Sequence, residues 1–230
     1  MKTKTQQIDL EPVKILLNKH KMHKSKYMVT INTLRLIVLP EVFCPAYTNT
    51  SVFLADTVKV SPNDTVLDMF SGSGYQAINV AKKVKEVVAV DHSPIAVRCI
   101  TQNIALHKLS SKIHVYQSDL FTSVPKRRFD IIIANPPLLP GIPKSILETA
   151  VLDNGLLTTK RFLETAGLYL KSSGKIYLLF SDVCKKVGLG GIDFVKNIAN
   201  KHNFSMTILA EKPVGYETYS VLLLTRRRKT

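Results

Sequence analysis

Cysteines are few and widely spaced in this sequence. The three of them, Cys44, Cys99 and Cys184, form no C-x-x-C pair in a chain of 230 residues. This spacing indicates neither a disulfide framework nor a zinc site, so we expect buried free thiols in a reducing compartment. His20 and His23 are three residues apart, which suits a metal on a helix, but no third ligand lies near them. The sequence therefore predicts no metal site.

Long apolar runs are also missing. The longest one near the start, Leu36 to Leu39, is far shorter than the ~20 residues that cross a membrane. Residues 1–26 are charged throughout and contain no apolar segment of the kind found in signal peptides. We therefore expect a cytoplasmic protein with no membrane partner.

Acidic residues are outnumbered by basic ones. Lys and Arg total 32 against 17 for Asp and Glu, which gives a formal net charge of +15. Such a charge favours an anionic partner, for example RNA, a ribosome or an acidic protein surface. A generally lysine-rich composition explains the charge equally well, because net charge does not determine a fold.

The length of the chain suits one large domain with a short appendage. Residues 1–30 are rich in lysine, and we expect a basic arm there with an amphipathic helix from Glu11 to Lys21. This arm is predicted to be solvated, and docking onto RNA or a substrate protein is the alternative. Residues 31–225 form the predicted domain, and residues 226–230 form a basic tail.

Four predicted strands in the middle of the chain end in polar residues. The first is followed by a glycine turn and then by a helical pattern. In an open parallel sheet, ligands bind at the carboxyl ends of the strands. The pattern therefore predicts an α/β fold with a binding site at one edge of the sheet. The four strand ends are Asp68 to Gly74, Asp91, Ser118-Asp119, and Asn135-Pro136-Pro137.

Taken in this order, the motifs resemble those of class I S-adenosylmethionine-dependent methyltransferases, and in particular the amino-group methylases with an Asn-Pro-Pro-aromatic signature. The resemblance covers roughly Leu34 to Leu224. The stretch with Pro45 and Thr50 is similar to the lead-in of HemK-like glutamine methylases, although Asn49 stands where an acid is usual. The resemblance implies a doubly wound, Rossmann-like and mostly parallel seven-stranded sheet, whose last strand is antiparallel.

The resemblance also implies a cofactor, S-adenosyl-L-methionine, and the residues that bind it. Asp91 would accept the ribose hydroxyls, Asp68 the methionine amino group, and Asp119 the adenine amino group. The two glycines of the turn would allow the cofactor to approach the backbone, where a Cβ would be in the way. The predicted cofactor-binding residues are Thr50, Asp68, Phe70, Gly72, Gly74, Asp91, His92, Asp119, Leu120 and Asn135.

Several of these residues also have plainer interpretations. Asp91 and Asp119 each follow a strand, where an aspartate is typical of a helix cap or turn, and Thr50 suits a helix N-cap. The glycine turn also satisfies the dinucleotide pattern G-x-G-x-x-A, which leaves an NAD-dependent enzyme as an alternative. Asp68 argues against NAD, because its charge would repel a pyrophosphate.

The tripeptide Asn135-Pro136-Pro137 suits methyl transfer to a planar nitrogen. The lone pair of such a nitrogen is delocalised, so its N–H groups must be held by acceptors while the lone pair faces the methyl group. The Asn135 side-chain oxygen and the Pro136 carbonyl can be these acceptors, and the prolines add rigidity. Leu138 completes the predicted catalytic set, but it stands where the family has an aromatic residue. A plain turn after a strand is the alternative.

These observations predict an N-methyltransferase that modifies a glutamine side chain in a release-factor-like protein. Leu138 offers no stacking platform, and its presence disfavours a nucleobase more than an amide. An RNA adenine or guanine amino-group methyltransferase acting on rRNA or tRNA is the main alternative. A small-molecule methyltransferase, and a non-catalytic cofactor-binding subunit of a partner enzyme, also stay open. A small activating partner subunit is a further expectation.

Overall fold

The computed structural model describes residues 11–215 and 217–227. Its strands are β1 (Tyr27–Ile31), β2 (Leu34–Val38), β3 (Thr65–Met69), β4 (Glu86–Asp91), β5 (Ile113–Gln117), β6 (Phe129–Ala134), β7 (Leu139–Pro140), β8 (Leu152–Asp153), β9 (Leu170–Ser181), β10 (Phe204–Val214) and β11 (Glu217–Arg226). Its α-helices are α1 (Glu11–Lys21), α2 (Thr50–Thr57), α3 (Tyr75–Ala81), α4 (Pro94–Leu106), α5 (Ile146–Thr149), α6 (Leu157–Ala166), α7 (Val183–Lys186) and α8 (Gly191–Lys201). Short 3-10 helices span Pro45–Tyr47, Asn154–Leu156 and Gly167–Tyr169.

The central sheet has seven strands in the order β10-β11-β9-β6-β3-β4-β5. The pairs from β9 to β5 are parallel, whereas β11, the last strand in the chain, is antiparallel to both β9 and β10. This topology confirms the predicted doubly wound α/β fold. The strand order reverses beside β3, because β4 and β5 lie on one side of it and β6 and β9 on the other. A ligand crevice is expected there, outside the carboxyl ends of the strands.

Buried apolar side chains cover both faces of this sheet. In β6, the run Ile131-Ile132-Ile133 contains no polar residue, and successive side chains point to opposite faces. Ile132 packs in a cluster with Phe162 of α6, while Ile131 and Ile133 pack in a second cluster with Ile100 of α4. Such runs are typical of central parallel strands. Burial of both faces leaves the strand ends as the place where polar side chains meet a ligand.

The described part of the amino-terminal segment packs on the domain, in contrast to the predicted solvated arm. Val13 and Leu17 of α1 lie in a buried cluster with Leu147 and Val151. The strands β1 and β2 form an antiparallel hairpin, so the predicted boundary after residue 30 falls inside β1. The apolar stripe of α1 thus has a partner surface that lies far away in the sequence. Residues 1–10 of the predicted arm and residues 228–230 of the predicted tail lie outside the described residues.

His20 joins α1 to the segment that follows β2. Its Nδ1 donates to the Leu16 carbonyl at 2.8 Å, and its Nε2 accepts the Cys44 amide at 2.8 Å. Both ring nitrogens are used in the neutral form, and burial lowers the pKa of His20. His23 contacts the Tyr47 hydroxyl at 2.5 Å. The two histidines therefore have structural partners, and no metal-binding cluster of His, Cys, Asp or Glu occurs among the described residues.

Residues 139–156 build a small layer at the carboxyl edge of the sheet. Within it, β7 pairs with β8 in parallel, and α5 lies between them in the chain. Lys21 of α1 lies 3.7 Å from Glu148 of α5, which adds an ion pair to the apolar contact between α1 and this layer. We call α1 and residues 139–156 the roof. Within the described ranges, no helix is both long enough and apolar enough to span a membrane.

In the turn after β3, Gly72 and Gly74 favour glycine for different reasons. Gly74 has a φ of +88°, and a Cβ there would lie 2.5 Å from Cγ1 of Ile100 on α4. Close packing of the turn on α4 therefore requires a glycine at this position. Gly72 also has a positive φ, +56°, but a Cβ there would meet no atom within 4 Å. Open space at Gly72 agrees with the predicted approach of a ligand, whereas the clash at Gly74 is with the protein itself.

We expect Gly74→Ala to lower the free energy of unfolding by about 2 kcal/mol or more, because the new Cβ must displace Ile100 while the backbone keeps a left-handed φ. Gly215→Ala is the matched control, since φ is +57° and a Cβ there meets no atom within 4 Å. Its loss should be about 1 kcal/mol, from backbone strain alone. Urea denaturation at neutral pH measures both variants. Equal losses would show that the contact with Ile100 is not decisive.

Candidate active site

An open cavity lies at the carboxyl ends of β3, β4 and β6. The glycine turn lines it through Gly72, β4 through Asp91, and the tripeptide through Asn135. The start of α2 contributes Thr50, and the roof contributes Leu16 from α1. The structure thus brings these predicted site residues together, although they are far apart in the sequence.

Asp91, at the end of β4, holds two loops together. Its Oδ2 accepts the Gly72 amide at 2.8 Å, and its Oδ1 accepts the Ser93 amide at 2.9 Å. Burial raises the pKa of Asp91, while hydrogen bonds from these two amides act in the opposite direction. Ser93 is the residue whose side chain caps α4. Each carboxylate oxygen of Asp91 keeps a lone pair, so the group can still accept a hydrogen bond from a ligand.

Asp68 lies behind the cavity wall. Its side chain is fully buried, and its Oδ2 accepts the Ala77 amide at 3.0 Å. Burial raises the pKa of Asp68 to about 7, and among the described residues Oδ1 has no hydrogen-bond partner. Neither Asp68 nor Gly74 is among the residues that line this cavity. Direct contact of these two residues with a cofactor stays a prediction, and their visible role is to fix the start of α3.

A second cavity, of about 740 Å³, adjoins the first beyond Asp91. Phe70 and Leu120 line it, and both have a left-handed φ, of +66° and +51°. Backbone strain of this kind in large residues concentrates at functional sites. Asp119 also lines this cavity, but its carboxylate pairs with Arg161, with Nη2 2.7 Å from Oδ2. The predicted acceptor for adenine therefore already has a partner on α6.

His92 borders both cavities, as do Phe70 and Pro137. Its Nε2 lies 2.9 Å from Oγ1 of Thr149, a contact that connects the end of β4 to α5 in the roof. The two cavities therefore share walls and form one crevice along the strand ends. Its length suits an elongated ligand with polar groups at intervals.

Asn135, Ser51 and Gln76 form a hydrogen-bonded chain along the wall of the first cavity. Asn135 donates from Nδ2 to Ser51 Oγ at 3.4 Å, and Gln76 donates from Nε2 to the Ser51 carbonyl at 2.8 Å. Because Nδ2 is used, Oδ1 of Asn135 is left to accept a hydrogen bond from a ligand. Pro136 and Pro137 beside it are buried, which holds the tripeptide in place.

Several residues of these walls were not predicted from the sequence, among them Gln76, Arg161 and Tyr219. Gln76 offered one signal, since it is a polar residue directly after the glycine turn with apolar neighbours. Arg161 lies in α6 and Tyr219 in β11, and no local pattern distinguishes them from other surface cations and strand tyrosines. Their positions depend on the packing of distant elements against the crevice.

Most of the chain matches the sequence model of one protein family. The sequence model of the family described as the methyltransferase small domain matches residues 33–188. The chain belongs to the methyltransferase small domain family. This membership confirms the predicted class, an S-adenosylmethionine-dependent methyltransferase, and the predicted cofactor.

Similar proteins in this class have been named and solved. A release factor glutamine methyltransferase of Geobacter sulfurreducens is 26% identical over 198 residues, which are 80% of this chain and 66% of the relative. One of Streptococcus pneumoniae is 34% identical over 135 residues, 53% of this chain and 47% of the relative. The chain thus spans less than two thirds of either relative. The solved structure of M. jannaschii tRNA m1G37 methyltransferase is 21% identical in sequence. The match covers 90% of this chain and 59% of that chain with a TM-score of 0.63, which shows a shared fold.

The crevice of this methyltransferase small domain protein fits S-adenosylmethionine in three places. Phe70 and Leu120 give the second cavity an apolar wall that suits the adenine ring. Asp91, which borders both cavities, has carboxylate oxygens that suit the predicted contact with the ribose hydroxyls. At the other end, the space at Gly72 and the buried Oε1 of Gln76, which has no hydrogen-bond partner among the described residues, suit the methionine part.

We expect Asp91→Asn to weaken S-adenosylmethionine binding by about tenfold or more, because one acceptor oxygen becomes a donor at a partly buried position. Isothermal titration calorimetry measures the affinity, and thermal unfolding shows whether the two loops stay folded. Asp193→Asn, at an exposed position on α8, is the control and should bind as the unmodified chain does. A folded Asp91→Asn variant with unchanged affinity would contradict the assignment of Asp91.

Proposed function

We propose that the chain transfers a methyl group from S-adenosylmethionine to a planar nitrogen, and that this nitrogen is the side-chain amide of a protein glutamine. The observation that carries the proposal is the place of Asn135 in the cavity wall, with its Nδ2 bonded to Ser51 and its Oδ1 left as an acceptor. The tripeptide lies at the end of β6, next to the turn and the acid that suit the cofactor.

The reaction needs the nitrogen to be oriented. An amide nitrogen is a poor nucleophile because its lone pair is delocalised into the carbonyl group. In the proposed mechanism, Asn135 Oδ1 and the Pro136 carbonyl hold its two N–H groups, so that the lone pair faces the reacting methyl. S-adenosylmethionine would supply that methyl from its positively charged sulfur, so that the S–C bond would break as the N–C bond forms and S-adenosylhomocysteine would leave. Both acceptors also stabilise the positive charge that develops on the nitrogen, and the surplus proton then leaves to water.

Leu138 supports an amide over a nucleobase as the substrate. Its side chain is half-buried against the apolar cluster below α2 and α3, and its carbonyl accepts Cys184 Sγ at 3.6 Å. A nucleobase gains much of its binding energy from stacking on an aromatic ring, whereas an amide has no such need. The relatives named release factor glutamine methyltransferase support the same substrate class.

RNA is the second candidate substrate, and the net charge of +15 favours it. The basic run Lys126-Arg127-Arg128 contributes less to such binding than its charges alone indicate. Arg127 lies 2.6 Å from Glu86, and its guanidinium is 5.0 Å from the Phe129 ring centroid. A cation with these partners is less available for a phosphate. The predicted small activating partner stays a prediction.

We expect Asn135→Ala to reduce turnover about a hundredfold or more while the affinity for S-adenosylmethionine changes little, because the lost acceptor acts on the reacting nitrogen. Tritiated methyl transfer gives the rate, and calorimetry gives the affinity. Asn197→Ala, at an exposed position on α8, is the matched control and should keep full turnover. Full turnover by Asn135→Ala would place the reaction elsewhere.

We expect the unmodified chain to label a release-factor-like protein in preference to total RNA when tritiated S-adenosylmethionine is supplied. Leu138→Tyr should shift the ratio of labelled RNA to labelled protein upward, because it adds a stacking surface. A salt series separates the substrates further, since binding to RNA weakens steeply with salt as counterions are released. Strong labelling by the unmodified chain that is lost after ribonuclease treatment would overturn the choice of substrate and leave the role of Asn135 in place.

A further inference from the structure

We infer that Gln76 holds the ammonium group of the methionine half of the cofactor, and that its bond to Ser51 ties that end of the cofactor to Asn135. This inference rests on the proposed function. It assigns to Gln76 the contact that the sequence predicts for Asp68.

The first observation is an acceptor without a partner. Gln76 is 5% exposed and borders the first cavity directly after the glycine turn. Its Nε2 donates a hydrogen bond to the Ser51 carbonyl, which distinguishes the amide nitrogen from the amide oxygen. The oxygen, Oε1, has no hydrogen-bond partner among the described residues. A buried acceptor left unsatisfied is unfavourable, and a donor that enters the cavity removes that cost. Oε1 has almost no accessible surface in this structure, so the amide must rotate about its terminal torsion, which is broad in glutamine, before such a donor reaches it.

The second observation is the direction in which the cofactor fits. Phe70 and Leu120 suit the adenine at one end of the crevice, and Asp91 suits the ribose in the middle. The methionine part then reaches the wall that contains Thr50 and Gln76. That part carries an ammonium, which only donates, and a carboxylate, which only accepts. An amide oxygen can bind the ammonium and cannot bind the carboxylate.

Asp68 is less suited to this contact. It is not among the residues that line the first cavity, and its Oδ2 accepts a hydrogen bond from the Ala77 amide. Burial raises its pKa to about 7, so near neutrality much of the group carries a proton and no charge. Asp68 therefore fixes the helix that presents Gln76, and Gln76 is the acceptor nearer to the cavity.

The bond to Ser51 gives Gln76 a positioning role as well. The Ser51 carbonyl accepts from Gln76, and the Ser51 hydroxyl accepts from Asn135, so one buried residue at the start of α2 contacts both. A cofactor ammonium on Gln76 therefore restrains the same chain that sets the direction of Asn135 Oδ1. A cofactor whose methionine part is bound therefore also helps to hold Asn135 Oδ1 in the direction that accepts the reacting nitrogen.

The test compares two ligands by calorimetry, S-adenosylhomocysteine and 5′-methylthioadenosine, which lacks the amino-acid part. Gln76→Met should weaken S-adenosylhomocysteine about tenfold or more and change 5′-methylthioadenosine less than about twofold, because only the first ligand has the ammonium. Gln76→Glu keeps an acceptor but loses the Nε2 donor to the Ser51 carbonyl, so it should recover only part of the affinity for S-adenosylhomocysteine. Gln102→Met, at an exposed position on α4, is the control and should bind both ligands normally.

Two results would overturn the inference alone. They are an equal loss of both ligands in Gln76→Met, which indicates a purely structural role, and an unchanged affinity for S-adenosylhomocysteine in that variant. If the unmodified chain binds neither ligand, the proposed function fails together with this inference. The three results are distinct, so failure of the Gln76 contact can be separated from failure of the cofactor assignment.

Discussion

The carboxylate of Asp91 is the constraint on which the site depends. One of its oxygens accepts the amide of Gly72 in the turn after β3, and the other accepts the amide of Ser93 at the start of α4. Two neighbouring parallel strands end side by side, and this single, partly buried acid joins the loops that leave them. The open space at Gly72 depends on that turn being held in place. The same group lies where the two cavities meet, so it links fold and ligand binding.

The rest of the site is arranged around this point by packing and not by local sequence. The roof places Leu16 and Thr149 over the crevice, and α1 stays on the roof through Val13 and Leu17. Ser51, at the start of α2, connects the cofactor side of the cavity with the tripeptide at the end of β6. The methyltransferase fold supplies parallel strand ends, and these later contacts determine what shape of substrate can reach them.

The sheet and most strand-end residues could be predicted because each signal is local. Asp91 follows an apolar strand at a spacing that a nucleotide-binding unit requires, and Asn135 begins a distinctive tripeptide. Contacts between distant segments left no such signal. The pairing of Asp119 with Arg161 joins a loop to α6, and the clash that explains Gly74 involves α4. The sequence also placed a solvated arm where α1 packs, because its apolar stripe faces residues more than a hundred positions away.

The central claim is that the crevice is built for S-adenosylmethionine, whereas the same glycine turn also satisfies a dinucleotide pattern. Calorimetric titration of the unmodified chain with S-adenosylmethionine and, separately, with NAD distinguishes the two most directly. The cofactor assignment predicts one S-adenosylmethionine bound per chain and no heat of binding with NAD, because the chain belongs to a methyltransferase family. Binding of NAD without binding of S-adenosylmethionine would contradict it.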